Sequence, residues 1–238
     1  VAALFGRIAH RYDFLNDLMT GWQHRRWRRH MLDALAPLPP RAAAVDLCCG
    51  TGDFLLLLSE RLGPEGRLVG VDFSAPMLDR AAERLAAAGI GNRVRLHEGD
   101  VTHLGALADA SFDLATVGFG LRNVTNLDTV LKEAFRLLRP GGSLASLEMS
   151  WPHPGFIRGL ALGYLRWMVP LVARLAGAPP DDYRWLARSL RDFPDAEELA
   201  ARLRGAGFAR VEVLRFGFGL VAAHLAFKAA EPARYTHA

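Results

Sequence analysis

Cysteine, lysine and metal-type histidine spacing are what this chain has least of. Its only cysteines, Cys48 and Cys49, are neighbours. Adjacent residues do not readily close a normal disulfide and no third cysteine offers a partner, which argues against a disulfide framework. A reduced, cytoplasmic compartment is therefore expected. The eight histidines are scattered without ligand spacing, so no metal site is expected. Only Lys132 and Lys228 are lysines, and the formal net charge of +4 rests almost wholly on arginine. So small an excess permits attraction to anionic surfaces without demanding it. A long uncharged apolar run is also lacking. The most apolar stretch, Phe156 to Ala176, carries Arg158, Arg166 and Arg174 and is interrupted by Pro170. Arginine at the centre of a span is costly, so a transmembrane helix is rejected. No basic stretch followed by an apolar core opens the chain, which argues against a signal peptide. The first residue is not methionine, and a helix-like pattern is already under way at Val1, so preceding native residues are expected.

What is present is alternation. The 238 residues suffice for one large α/β domain or two small ones. Short β-rich runs at Ala43–Leu47, Arg67–Asp72, Val94–Glu98, Leu114–Gly118 and Ser143–Met149 are expected as strands. Helical runs at Phe54–Arg61, Pro76–Ala88 and Leu127–Leu138 separate them, the last stopped by Pro140-Gly141-Gly142. This is the pattern of a parallel sheet flanked by helices. The alternation breaks over 152–191, which read as a helical insertion, and resumes with a helix at Ala196–Ala206. Strands follow at Val211–Phe216 and Leu220–Phe227, with only Gly217-Phe218-Gly219 between them. A parallel crossover needs a dozen or more residues, so these two form a hairpin and the sheet ends with one antiparallel strand. No repeat and no low-complexity linker is found.

The chemistry-bearing segments sit at strand ends. The first strand runs through Asp46 into Gly50-Thr51-Gly52-Asp53. Glycines at a strand-to-helix turn let backbone approach a ligand, or simply make a tight turn. An acidic flank disfavours a phosphate and suits the ammonium of an amino acid, and the third glycine of the dinucleotide fingerprint is absent because Leu55 stands there. Asp72, followed by Phe73, ends the second strand and can accept from both ribose hydroxyls, or cap the helix that follows. Asp100 and Val101 follow the third strand, where they can border an adenine. Three such positions at three strand ends make a nucleoside site far stronger than any one of them. Gly118, at the end of the fourth strand, opens Phe119-Gly120-Leu121-Arg122-Asn123-Val124 beside that site. The Asp/Asn-Pro-Pro-aromatic run of amino-methylating nucleic-acid enzymes is missing from it. Both cysteines lie in the nucleoside loop and read as packing residues. Arg122 is a cation on the acceptor side, able to stabilise a phenolate or to sit in a salt bridge. The basic run His24 to His30 is either a membrane or nucleic-acid patch or a solvated helix face with Trp22 and Trp27 turned inward.

Those residues resemble one family over almost the whole length, the ubiquinone/menaquinone biosynthesis C-methyltransferases. The carriers are Arg11-Tyr12-Asp13 with Asn16, Val45–Asp53, Gly70–Ser74 with Met77-Leu78, and Gly118–Thr125. Arg139–Gly142, Leu147-Glu148, Asp192–Pro194, and Gly219–His224 with Lys228 add to them. The Cys-Cys-Gly-Thr form and Tyr183–Leu186 look like the menaquinone branch. The resemblance implies a class I methyltransferase, a Rossmann-like seven-stranded α/β sheet with its last strand antiparallel and a helical insertion between strands five and six. It implies one domain over 1–238, with N-terminal helices at 1–36 and an acceptor lid at 152–191. It implies S-adenosylmethionine as cofactor, contacted at Thr51, Asp72, Asp100 and Val101; we add Asp46, Gly50, Gly52, Phe73 and Gly118 to that set. Where Gly118 stands, the family often has serine, so a side-chain contact is lost.

The implied reaction is methylation of the ring carbon of demethylmenaquinol. Arg122 and Asn123 are expected to hold the ring oxygen, and Tyr12, Asp13 and His224 to handle protons. Expected partners are a polyprenylated quinol, the inner membrane face as a peripheral contact, and a second copy in a homodimer, but not nucleic acid. Alternatives are a methyltransferase of a ubiquinone precursor or another aromatic or lipid molecule, a nucleic-acid methyltransferase, and a non-catalytic cofactor-binding subunit of a quinone-synthesis complex.

Overall fold

A computed structural model describes residues 20, 22–152, 155, 158, 159, 163, 167 and 192–230. Tyr12, Asp13, Asn16, Tyr183–Leu186 and most of the 152–191 insertion lie outside the described residues. The described chain opens with helix α1 (Gln23–Asp33). It continues as β1 (Ala43–Leu47), α2 (Asp53–Arg61), β2 (Arg67–Asp72), α3 (Ala75–Ala87), β3 (Val94–Glu98) and β4 (Phe112–Gly118). Helix α4 (Leu127–Leu137), β5 (Leu138–Met149), α5 (Ala196–Gly205), β6 (Arg210–Phe216) and β7 (Val221–Phe227) complete it.

The strands form one seven-stranded sheet in the order β3-β2-β1-β4-β5-β7-β6. β1 is buried along its whole length, as a central parallel strand covered on both faces must be. Its apolar residues divide between two cores. On one face Val45 and Leu47 pack with Val130, Leu131, Ala134 and Leu137 of α4 and Leu199 and Leu203 of α5. On the other, Ala44 packs with Met31 and Leu32 of α1 and Phe54 and Leu58 of α2. Two helix starts are capped by side chains: Asn126 accepts from Thr129 N, and Asp195 accepts from Glu197 N and Glu198 N.

Strand order reverses between β1 and β4, which pair in parallel. At such a switch point the connections leave in opposite directions and open a crevice at the carboxyl ends of the strands. The expected seven strands are all present. Two details differ. β5 begins at Leu138 and runs through Pro140-Gly141-Gly142. Its pairing with β4 slips from Phe112↔Leu138 to Leu114↔Ser143, so proline and the left-handed Gly141 sit in a bulge rather than ending a helix in a loop. The antiparallel strand is β7, but it lies between β5 and β6, not at the edge. The tight link Gly217-Phe218-Gly219 has positive φ at all three residues, and only glycine adopts that without strain.

Candidate functional site

A cavity of about 310 Å³ occupies the crevice. Its walls come from the ends of β1, β2, β3 and β4, the four positions the sequence marks. Asp46, Gly50, Thr51, Asp72, Phe73, Asp100, Val101 and Gly118 all line it. Gly52 does not. It caps α2 in a left-handed conformation, and a Cβ added there would stand 3.4 Å from Ala81 Cβ, so its role is the turn. Gly50 is also left-handed, and a Cβ added there would meet nothing within 4 Å. That leaves the backbone of the loop open to a ligand.

Asp72 holds this loop. Its Oδ2 accepts from Gly50 N at 2.8 Å and its Oδ1 from Ser74 N at 2.9 Å. Burial outweighs these hydrogen bonds and raises its pKa above the ordinary carboxylate value. Asp100 Oδ1 accepts from Thr102 N at 2.9 Å and so turns the chain after β3, leaving Val101 buried against the cavity. Arg84 of α3 clamps the loop from outside, donating to Thr51 O, Thr51 Oγ1 and Asp53 Oδ1, each at 2.8 Å.

Asp53 corrects one expectation. Its second oxygen pairs with Arg28 at 3.1 Å. Burial alone would raise its pKa, but Arg28 and Arg84 together hold it below the ordinary value. It lines the cavity, but with both oxygens engaged by guanidinium groups it is less free to meet an ammonium. Asp46 fits that part better. It is 1% exposed, accepts from Thr116 Oγ1 at 2.7 Å and lines the cavity. Burial pushes its carboxyl up to about 8, against the lowering effects of Thr116 and Arg28.

A folded-state pKa above the ordinary 3.8 means that the folded protein binds this proton more tightly than the unfolded chain. The resulting stability is full below pH 4 and is lost as pH rises through about 8. Asp46→Asn removes the buried charge. It is expected to raise the melting temperature of the ligand-free protein at pH 9 and to leave it unchanged at pH 6. Equal melting at pH 9 would show that Asp46 is not held protonated.

The turn after β4, expected on the acceptor side, also walls the cavity. Phe119, Gly120, Asn123, Val124 and Thr125 line the cavity. Asn123 Nδ2 donates to Phe119 O at 3.4 Å, while its Oδ1 is buried and has no hydrogen-bond partner among the described residues. Arg122 does not line it. Its guanidinium forms a buried ion pair with Glu148, with side chains 7% and 1% exposed, and its backbone N–H donates to the same carboxylate at 3.2 Å. Of the two readings of Arg122, the salt bridge is the one formed. His224 is not brought to the cavity either. It lies buried on β7, its Nε2 against Ala196 O at 2.8 Å, and burial lowers its pKa. A neutral histidine under α5 has no path to a ring proton here. Gly118 lacks the serine contact for a steric reason: a Cβ there would stand 2.5 Å from Phe54 Cε2. Burial pushes both cysteine thiols up, which suits the packing role expected of them.

Arg28 is the site residue that the motifs missed. It lines the cavity from α1, its guanidinium carbon 5.5 Å from the ring centres of both Phe54 and Phe119. The signal was periodic: His24, Arg28, Met31 and Leu32 are the buried residues of α1, one stripe at helical spacing. Of the two inward-turned tryptophans expected, Trp27 stacks on Phe216, whereas Trp22 is 57% exposed. Among the described residues no group of side chains is suited to hold a metal ion.

Three carboxylates besides the arginine-paired Asp53, an open glycine backbone and an apolar shelf at four strand ends suit a nucleoside carrying an amino acid, and fit S-adenosylmethionine in particular. Asp72 would hold the ribose, Asp100 and Val101 the adenine, and Asp46 the ammonium. Fold and site define an S-adenosylmethionine-dependent class I methyltransferase. The same fold is seen in an S-adenosylmethionine-dependent methyltransferase from Thermotoga maritima, with TM-score 0.65, 22% identity, and 96% and 100% of the two chains covered. It is also seen in the [4+2]-cyclase SpnF, with TM-score 0.68, 19% identity, and 97% and 95% covered. Neighbours this distant bear on the fold alone.

The chain belongs to the ubiE/COQ5 methyltransferase family, whose sequence model matches residues 1–228. Relatives include the demethylmenaquinone methyltransferase of Geobacillus kaustophilus, 40% identical over 228 residues and 96% of each chain. That of Lactiplantibacillus plantarum is 38% identical over 231 residues and 97% of each chain.

Proposed function

We propose that this methyltransferase acts on demethylmenaquinol, transferring a methyl group to its ring carbon. Relatives of that name span nearly the whole chain. The observation that carries the reading is the acceptor wall. Asn123 lines the cavity beside Phe119 and Val124, and its buried Oδ1 has no hydrogen-bond partner among the described residues. A quinol hydroxyl is a donor on a flat apolar ring and satisfies both features. The cofactor, when bound, supplies an electrophilic methyl group. Asn123 orients the ring by accepting from its hydroxyl, and the Asn123 amide is itself oriented by Phe119 O. Holding the reacting carbon beside that methyl would turn a bimolecular step into an effectively unimolecular one, a contribution such a site can make by positioning alone. The ring carbon must then lose a proton, a step to which a positioned base adds roughly 10²–10⁴-fold. We assign it to Tyr12 and Asp13.

The lipid tail needs a route from a membrane. We assign 152–191 as the lid over the acceptor end; within it Arg158 lies over the Trp151 ring at 5.5 Å and Trp167 is largely exposed. Arg25, Arg26 and Arg29 are exposed on α1, near exposed Trp22. Trp27 stacks on Phe216, which brings the hairpin tip and its exposed Phe218 to the same helix. Basic and aromatic side chains together suit an anionic lipid surface. No helix among the described residues is long and apolar enough to cross a membrane.

The test is methyl transfer from labelled cofactor to reduced demethylmenaquinone and to the ubiquinone precursor, side by side. Each is presented in neutral and in anionic vesicles. Faster methylation of the naphthoquinol, and faster still on anionic vesicles, is expected. Preference for the benzoquinol would overturn the substrate, and indifference to vesicle charge the surface contact.

A further inference from the structure

Arg28 is buried, with its side chain 6% exposed, and its charge is only partly met. Its carboxylate partner, Asp53, is shared with Arg84, which sits closer, at 2.8 Å against 3.1 Å. The same Nη1 that reaches Asp53 also contacts His24 Nδ1. Nε is buried with no hydrogen-bond partner among the described residues. A buried guanidinium with a half-share in one carboxylate is an expensive arrangement unless a further anion completes it. The ring faces of Phe54 and Phe119 stabilise the cation but supply no acceptor.

The position of Arg28 says which anion. It lines the same cavity as Asp46, and the two are close enough for its charge to favour the ionised carboxyl of Asp46. A phosphate dianion would face the carboxylates of Asp72 and Asp100 in that cavity and carry no cation of its own to offset them. A singly charged carboxylate with an ammonium on the same carbon matches a cation and an acid placed side by side.

We propose that Arg28 binds the carboxylate of the cofactor's amino acid end, forming with Asp46 a two-residue reader of that zwitterion. The inference rests on the cofactor assignment above and adds a binding residue to it. Arginine suits the task because its planar fork matches a carboxylate and stays charged when buried.

Equilibrium binding, with no turnover, tests it. The ligands are S-adenosylhomocysteine, its decarboxylated analogue, and 5′-methylthioadenosine. The wild-type chain is expected to bind S-adenosylhomocysteine on the order of 10–100-fold more tightly than the decarboxylated analogue, the range of a charge-assisted hydrogen-bonded pair. Arg28→Met is expected to abolish that preference while binding 5′-methylthioadenosine as before, and Arg28→Lys to retain part of it. Equal loss for all three ligands in Arg28→Met would reduce Arg28 to a support for Asp53 and overturn the proposal. So would a wild-type chain indifferent to the carboxylate, a result that does not depend on any variant folding. Failure of the wild-type chain to bind any of the three would overturn the cofactor assignment itself, and the proposal with it.

Discussion

Asp72→Asn is expected to weaken binding of S-adenosylhomocysteine on the order of 100-fold while leaving the melting temperature of the ligand-free protein within a few degrees. The two halves of that expectation have one cause. In the free protein the Asp72 carboxylate accepts from Gly50 N and Ser74 N, yet burial still raises its pKa. Its charge is therefore a net cost to the folded state without ligand; an amide removes that cost and gives up one of the two backbone hydrogen bonds, because its NH₂ cannot accept, so the two effects offset within a few degrees. Stability tied to that raised pKa is lost as pH rises through it, so the variant should gain on the wild type at higher pH. Ligand binding reverses the balance. A ribose presents two hydroxyl donors, and a carboxylate has lone pairs left for both. Asparagine keeps one acceptor oxygen, and its NH₂ opposes a donor. Losing a hydrogen bond to a charged group costs about 1.5–3 kcal/mol, and a mispaired donor adds to it. Calorimetric titration beside a thermal melt measures both quantities. Retained affinity with a collapsed melt would make Asp72 a turn residue of the Gly50 loop and nothing more.

Much of this site was legible before any coordinates, and the reason is geometric. In a parallel sheet, strand ends at the switch point share one crevice, so Asp46, Asp72, Asp100 and Gly118 meet although they span seventy-two residues of chain. Reading the strands was enough to place them. The helices and strands themselves match their expected bounds to within two residues, except β5, whose bulged start hides behind a proline and two glycines that normally end elements. What sequence could not settle was direction. Arg28 stands in a run of arginines that reads as a solvated face, and only packing of α1 against the sheet turns this one inward. Asp53 follows the glycine loop as an apparent ligand acid, but α1 and α3 each bring an arginine to it. His224 has a family motif around it and alternates with Ala223 and Leu225, which face the opposite core. Strand alternation puts it under α5, and neither it nor its neighbours Ala223 and Leu225 line the cavity. Arg122 is the plainest case. Its partner Glu148 is on the next strand of the sheet, and strand register is not written in either segment alone.

That ion pair carries the other large effect. Arg122→Ala is expected to destabilise the protein by about 3–5 kcal/mol, because it leaves Glu148 charged and buried without its partner. For a domain of this size that is a fall of roughly 10 °C in melting temperature. Turnover should fall as well, but through placement. The Glu148 carboxylate accepts from the backbone and the guanidinium of Arg122 and from Met149 N. It thereby pins the Leu121–Asn123 turn to the end of β5, and the next residue after Arg122 is Asn123, which lines the cavity and is proposed to orient the ring. A displacement of about 1 Å at Asn123 is enough to cost about 100-fold in a positioning reaction. A double variant separates the roles. Arg122→Met with Glu148→Gln removes both charges while glutamine keeps an acceptor for the Arg122-position N–H. Such neutral replacements of buried pairs are often tolerated, so most of the lost stability should return. If Arg122 acts by holding the turn, turnover returns in proportion. If it supplied a cation to a ring oxygen, as the sequence first suggested, the double variant would be stable and still inactive. A single Arg122→Ala variant that melts like the wild type would refute the ion pair as a structural element altogether.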